Sequence, residues 1–293
     1  MIFNLILFQT YIIFLFISIL GYGIIFNKYK NLICLSKNNL SFSELGFFSL
    51  LILIPISITI NFFMKIDYIV SSMFFVLGLI FFFYQARIKL KLNKVILTIV
   101  LIIFLTPYFI LSSHHDDFFY YHLPYLNVLQ QSKIIIGLVN LNNVLVYPQN
   151  LWFNIFSLFR LPIIDFNGIQ AINGIFTIFF LMFCYENLAR TKIVKLKIIN
   201  LMFFIFTLVL FSRLKDHGAE IIPQFLMLVT IYYSFELILD KNIDKNEYLL
   251  KIILVFMSAV LLRLSSIVIL PLILFVFLVN YKFLLNLFKK FKF

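Results

Sequence analysis

The stretch SSHHDDFFYYHLP, residues Ser112 to Pro124, gathers three histidines and two aspartates into a chain that is otherwise almost wholly apolar. Carboxylates can take a proton from an attacking group or hold a hard cation. Asp116 and Asp117 are adjacent, so their side chains point differently. Two further polar islands lie far along the chain. One is RLKDHGAE, with Arg213, Lys215, Asp216, His217 and Glu220; the other is Arg263, beside Ser265 and Ser266. Guanidinium and ammonium groups neutralise a bound or departing phosphate. Taken together, these residue types fit group transfer from a phosphorylated donor.

The elements that must position these groups are membrane helices. The chain has 293 residues, 63% of them hydrophobic and only 12% charged, with a mean hydropathy of +1.07. That composition lies outside the range of soluble globular domains. The 40 phenylalanines are read as compositional bias and not as a stacking surface. Cys34 and Cys184 are too few and too far apart to suggest a disulfide framework or a thiolate metal site.

Apolar runs long enough to cross a bilayer as helices lie near 2–26, 45–62, 69–85, 95–112, 168–188, 198–212, 221–239, 249–263 and 267–285. The expected fold is therefore all-α, a polytopic bundle of about nine transmembrane helices. Only four residues from Arg263 separate the last two runs, so eight spans and a re-entrant piece remain an alternative. Residues 1–94 form an N-terminal three-helix membrane segment, and 95–293 form the core with an outer loop at 112–167.

Alternating the loops between two sides puts 18 of the 24 lysines and arginines on one side. The other side keeps only Lys65, Lys133, Arg160, Arg213, Lys215 and Arg263. Basic loops favour the cytoplasm, which puts the N-terminus outside and the C-terminus inside. This dispersal accounts for the net charge of +12 without nucleic acid as a partner. The first span has neither a basic leader nor a small-residue cleavage site and reads as a retained helix. All three polar islands open outward, and their convergence at one outer interface is the main expectation.

The outer loop is too apolar for disorder and reads as amphipathic helices lying on the outer membrane surface. Pro124 suits the first turn of a helix running to about Lys133. The histidines and aspartates before it would then sit at the positive end of that helix. Tyr120, Tyr121 and Trp152 read as an interfacial aromatic belt, with sugar stacking as the alternative. Asp240 to Glu247 reads as a solvated loop on the basic side without chemistry.

The segment HDDFFYYHLPYLNVLQQSKIIIGLVNLNN, followed by YPQNLWFN, resembles the first outer loop of polytopic bacterial proteins of the GT-C glycosyltransferase superfamily. RLKDHGAEIIPQ and LLRLSSIVILPLIL are similar to later segments of that family. Protein O-mannosyltransferases and lipid A aminoarabinose transferases belong to it. The resemblance implies a polyprenyl-phosphate sugar donor, an outer-loop aspartate as base, and inverting displacement in a bacterial inner membrane. Carried over, Asp117 is the base, Asp116 its alternative, and His122 orients base or donor. Asp216 helps position the acceptor or a metal, while Arg213, Lys215 and Arg263 contact the lipid phosphate. Tyr121, Asn140 and His217 count as further substrate contacts. The acceptor, whether glycan, lipid or protein, is left open. The chain places more spans ahead of the loop than those enzymes have.

A divalent cation is a candidate cofactor through the carboxylates, but no HxxxH or HxH spacing supports a metal site and none is assigned. The rival function is a transporter or lipid flippase with an outer vestibule for an anionic substrate. Such a protein should carry ionisable groups near the membrane midplane and symmetry between its halves. Neither is visible, since Glu186 and Glu236 lie near helix ends.

Overall fold

The computed structural model describes residues 2–33, 39–85, 92–110, 118–137, 140, 150–162, 169–210 and 219–281. The described residues are almost entirely helical: α1 (Ile2–Ile33), α2 (Phe42–Phe63), α3 (Tyr68–Gln85), α4 (Leu92–Ile110), α5 (Leu123–Gln131), α6 (Leu151–Phe159), α7 (Ile169–Arg190), α8 (Val194–Val209), α9 (Ile221–Leu239), α10 (Lys245–Leu262) and α11 (Leu270–Val279). A π-helical turn, Phe118–His122, feeds directly into α5, and a 3-10 turn, Leu264–Ile269, joins α10 to α11. The all-α expectation is met, and most helix bounds fall within a few residues of the apolar runs.

Four helices are long and apolar enough to cross a membrane among the described residues, Leu5–Lys30, Phe42–Phe63, Ala171–Arg190 and Ile221–Leu239. Tyr68–Tyr84, Asn93–Pro107 and Leu264–Val279 are shorter apolar helices.

Local chemistry starts the helices where they start. Ser41 and Glu44 form a reciprocal capping box at α2, which satisfies two donors that a helix start otherwise leaves unpaired. The Asp244 carboxylate accepts from the amides of Asn246 and Glu247 at the head of α10. Asp67 accepts from the amides of Ile69 and Val70 at the head of α3. Pro124 occupies the first turn of α5, as its missing N–H requires.

α7 is the axle of the bundle. Every residue from Ala171 to Cys184 is buried, so the helix presents no face to lipid and reads as apolar all round. Its phenylalanines pack across to α1, α2 and α9. Phe179 stacks on Phe16 at 4.6 Å and Phe180 on Phe225 at 4.3 Å, while Phe47 lies against both Phe176 and Phe183. These phenylalanines are core material, whereas others, such as Phe63, Phe83 and Phe104, are exposed.

α1 and α3 cross at two glycines. A Cβ on Gly21 would lie 1.9 Å from the Gly78 carbonyl oxygen, so the backbones approach as closely as only glycine permits. Around the crossing, Ser18 and Tyr22 donate to the carbonyls of Phe75 and Phe74 at 2.9 and 2.7 Å.

One element departs from expectation. α6 does not lie on the membrane surface; all its residues after Leu151 are buried, and it packs against α2, α3, α5 and α7. Its two polar side chains, Asn154 and Ser157, are both turned into the bundle, where Asn154 accepts from Tyr125.

Candidate functional site

At the end of the bundle that carries the long loop, buried polar contacts fix α5 and α6. The His122 ring is 3% exposed, with Nδ1 2.8 Å from Asn150 Oδ1 and its face 4.5 Å from the Phe153 ring. One turn on, the Tyr125 hydroxyl donates to Asn154 Oδ1 at 2.5 Å, and burial pushes that phenol well above its usual range. Trp152, 1% exposed, donates Nε1–H to Asn173 Oδ1 on α7 at 2.7 Å. It is neither a belt residue nor an open stacking platform, which corrects both sequence readings.

Neighbouring helices hold the far side of α6. Ser71 donates to the carbonyl of Ser157 at 2.5 Å and Tyr11 to that of Phe159 at 3.0 Å. The buried Arg160 guanidinium lies over the rings of Tyr68 and Phe156 at 5.8 and 6.0 Å. The turn between α2 and α3 is stitched to the tail of α5: Ile66 N–H donates to Leu129 O and Ile134 N–H to Asn61 O, both at 2.9 Å. His122 therefore stands on a floor packed by six helices.

Of the sequence-predicted residues, Asp116, Asp117, Arg213, Lys215, Asp216 and His217 lie outside the described residues. Tyr121 contributes backbone to the π-helical turn, and its side chain lies outside them too. Asn140 is exposed, and its amide closes a turn on the Gly137 carbonyl at 2.9 Å, where Gly137 takes φ +84°. The Arg263 side chain is 32% exposed, and its Nη1 lies 3.7 Å from Glu220 Oε2. The second and third polar islands thus meet through those two residues. Among the described residues, no three His, Cys, Asp or Glu side chains converge as a metal site would require.

The opposite end holds a buried ionic network that sequence reading missed. Four of the chain's five glutamates join it: Glu44, Glu186, Glu236 and Glu247. Lys251 Nζ donates to Glu44 Oε1 at 2.7 Å and pairs with Glu247 Oε1 at 2.9 Å. Lys30 reaches the same Glu247 oxygen at 3.3 Å. Arg190 binds Glu236 at 2.7 Å and also donates to Asn187 and to the Tyr248 hydroxyl. Lys94 binds Glu186, which also accepts from the Ser43 hydroxyl at 2.6 Å. The Tyr233 hydroxyl donates to Glu44 at 2.7 Å, and Lys251 lies over the Tyr233 and Tyr248 rings.

Among the described residues, four carboxylates thus meet four cations, from α1, α2, α4, α7, α9 and α10, and their formal charges balance. Lys30, Lys94, Arg190 and Lys251 were all assigned to one side by loop alternation, and the structure does bring them to one end. The reading of Glu247 as part of a solvated loop is corrected. Its side chain is 3% exposed, because α10 begins two residues earlier and turns it inward.

Such a molecule, with long apolar helices, a polar floor at one end and a neutralised charge cluster at the other, belongs among helical membrane proteins. The chain is a member of the family described as "Domain of unknown function (DUF8201)", whose model matches residues 2–293. No curated protein and no solved structure gives a match.

Proposed function

We propose that the protein is an integral membrane glycosyltransferase of GT-C type, which moves a sugar from a polyprenyl-phosphate donor to an acceptor hydroxyl. Its setting is a bacterial inner membrane crossed by about nine helices. The long loop faces outward with the N-terminus, and the C-terminus is cytoplasmic. The observation that carries this reading is the fixing of His122 on buried α6, five residues after Asp117 and at the end of the bundle reached by the described outer loop. A base that must be held to within a fraction of an ångström needs such a floor.

In the proposed reaction Asp117 takes the proton of the acceptor hydroxyl. The freed oxygen attacks the anomeric carbon from the side opposite the phosphate. The bond from that carbon to the phosphate oxygen breaks, inverting the configuration, and polyprenyl phosphate leaves with the bonding pair. Arg213, Lys215 and Arg263 balance the charge that develops on it. Asp116 is the alternative base. Asp216, His217, Tyr121 and Asn140 are candidate contacts to acceptor and sugar. A divalent cation held by the aspartates is a candidate aid to the leaving phosphate.

A transporter is less well supported. Among the described residues, every charged side chain on the helices longer than three turns stands within two turns of a helix end, so none occupies the middle of the bundle. The decisive experiment reconstitutes Asp117→Asn in proteoliposomes with a panel of polyprenyl-phosphate sugars and measures released polyprenyl phosphate. A loss of at least about 100-fold with unchanged Trp152 emission supports the base assignment. Full activity in that variant overturns it.

A further inference from the structure

Among the described residues, the network at the basic end pairs four glutamates with four cations, and other lysines stand outside it. Lys192, Lys195 and Lys197 sit at the corner between α7 and α8, all exposed. No carboxylate lies within salt-bridge distance of any of them among the described residues, whereas Lys30, Lys94 and Lys251 each bind a glutamate.

α8 shows what kind of counterion fits. It is pinned to the protein by one narrow stripe, Leu196, Asn200, Phe203 and Thr207, at spacings of four, three and four. The rest of its circumference is open and apolar. Below Lys197 the exposed row runs Leu201, Phe204, Leu208, so that one helix face carries an ammonium group at its head and hydrocarbon beneath. From Lys197 to Leu208 the helix rises roughly 16 Å, about half of a hydrocarbon core of about 30 Å. An anionic group with an acyl chain the length of one leaflet matches that face in both charge and reach. A soluble acidic partner would match only the charge.

We infer that the α7–α8 corner is a docking site for an anionic phospholipid, whose phosphate is held by Lys197 at the head of α8, with Lys192 and Lys195 adding positive charge around it, and whose acyl chain lies along Leu201, Phe204 and Leu208. This site stands at the opposite end of the bundle from His122 and does not depend on the proposed transferase reading. The lysine ammonium groups meet the phosphate as point charges.

Native mass spectrometry of the purified full chain, released from vesicles of equal phosphatidylglycerol and phosphatidylcholine, tests the site. Wild type should retain phosphatidylglycerol preferentially. Each lysine at an anionic surface contributes about fivefold, so the triple variant K192Q/K195Q/K197Q should lose at least about tenfold of that preference. K192R/K195R/K197R should keep it, as should K28Q/K241Q, which removes two basic residues elsewhere at the same end. The inference is overturned if the triple Gln variant keeps its preference, or if the Arg variant or K28Q/K241Q loses it. A wild-type dimer carrying no phospholipid also overturns it, since a second copy would then cover this face.

Discussion

Lys251 Nζ lies 2.7 Å from Glu44 Oε1, joining positions 207 residues apart in the chain. Both side chains are buried, and each has a second charged or hydroxyl partner in the same network. Removing one member leaves a charge in a low-dielectric interior without its counterion, which costs more than the pair itself contributes. Lys251→Met or Glu44→Gln should each destabilise the protein by about 3 kcal/mol. The double variant should cost clearly less than the two single losses added together. Thermal unfolding in nanodiscs checks this, and additive losses would mean that the two groups do not share one interaction.

Gly21→Ala should destabilise by about 1–3 kcal/mol, because the new methyl would meet the Gly78 carbonyl and only a shift of whole helices relieves it. The same unfolding assay measures the loss. A neutral result would mean that α1 and α3 are not locked at this crossing.

The chain has one tryptophan, so its fluorescence reports α6 directly. Trp152 should emit as a buried indole and resist quenching by acrylamide, in contrast to an interfacial residue. Asn173→Leu removes its acceptor on α7 and should cost about 1–3 kcal/mol with a shift in emission. Strong quenching in the folded wild type would place α6 at the membrane surface after all.

Asp67 supplies a small pH dependence. The Val70 amide is the chief cause of its lowered pKa, with the Ile69 amide and the Lys65 side chain assisting. A carboxyl whose folded pKa lies below its unfolded value contributes stability above the unfolded value, near 3.8. That contribution is lost as pH falls through the folded pKa. The group is close to solvent, so screening holds the effect to a few tenths of a kcal/mol. Asp67→Asn should flatten the acid limb of the stability curve by that amount in melts below about pH 4.

Helix positions were legible because hydrocarbon permits few alternatives to a helix about 20 residues long. The grouping of Lys30, Lys94, Arg190 and Lys251 followed from the same alternation. α6 was misplaced because a nine-residue apolar run is too short to span and was therefore assigned to the surface. What the sequence does not encode is that its polar pair, Asn154 and Ser157, is met by the bundle and not by water. The ionic network went unseen because counting basic residues for sidedness ignores the glutamates. Glu44, Glu186, Glu236 and Glu247 each stand near a helix end on the lysine-rich side, a pattern the sequence does contain. Which glutamate meets which cation depends on how six helices pack, and no local spacing encodes that. At the loop end, Pro124 and the start of α5 could be read directly, whereas the partnership of His122 with Asn150 spans 28 residues and could not.

The pairing of Lys30 and Glu44 with Glu247 and Lys251 sets an order on biosynthesis. The first two residues leave the ribosome about 200 residues before their counterions exist. Until the α9–α10 hairpin is inserted, Lys30 and Glu44 lack these two partners at the rim of the early helices. The insertion machinery or the aqueous interface has to shelter them. Truncations that stop short of α10 should be held by that machinery or degraded, whereas a separately expressed C-terminal fragment could complete and release them.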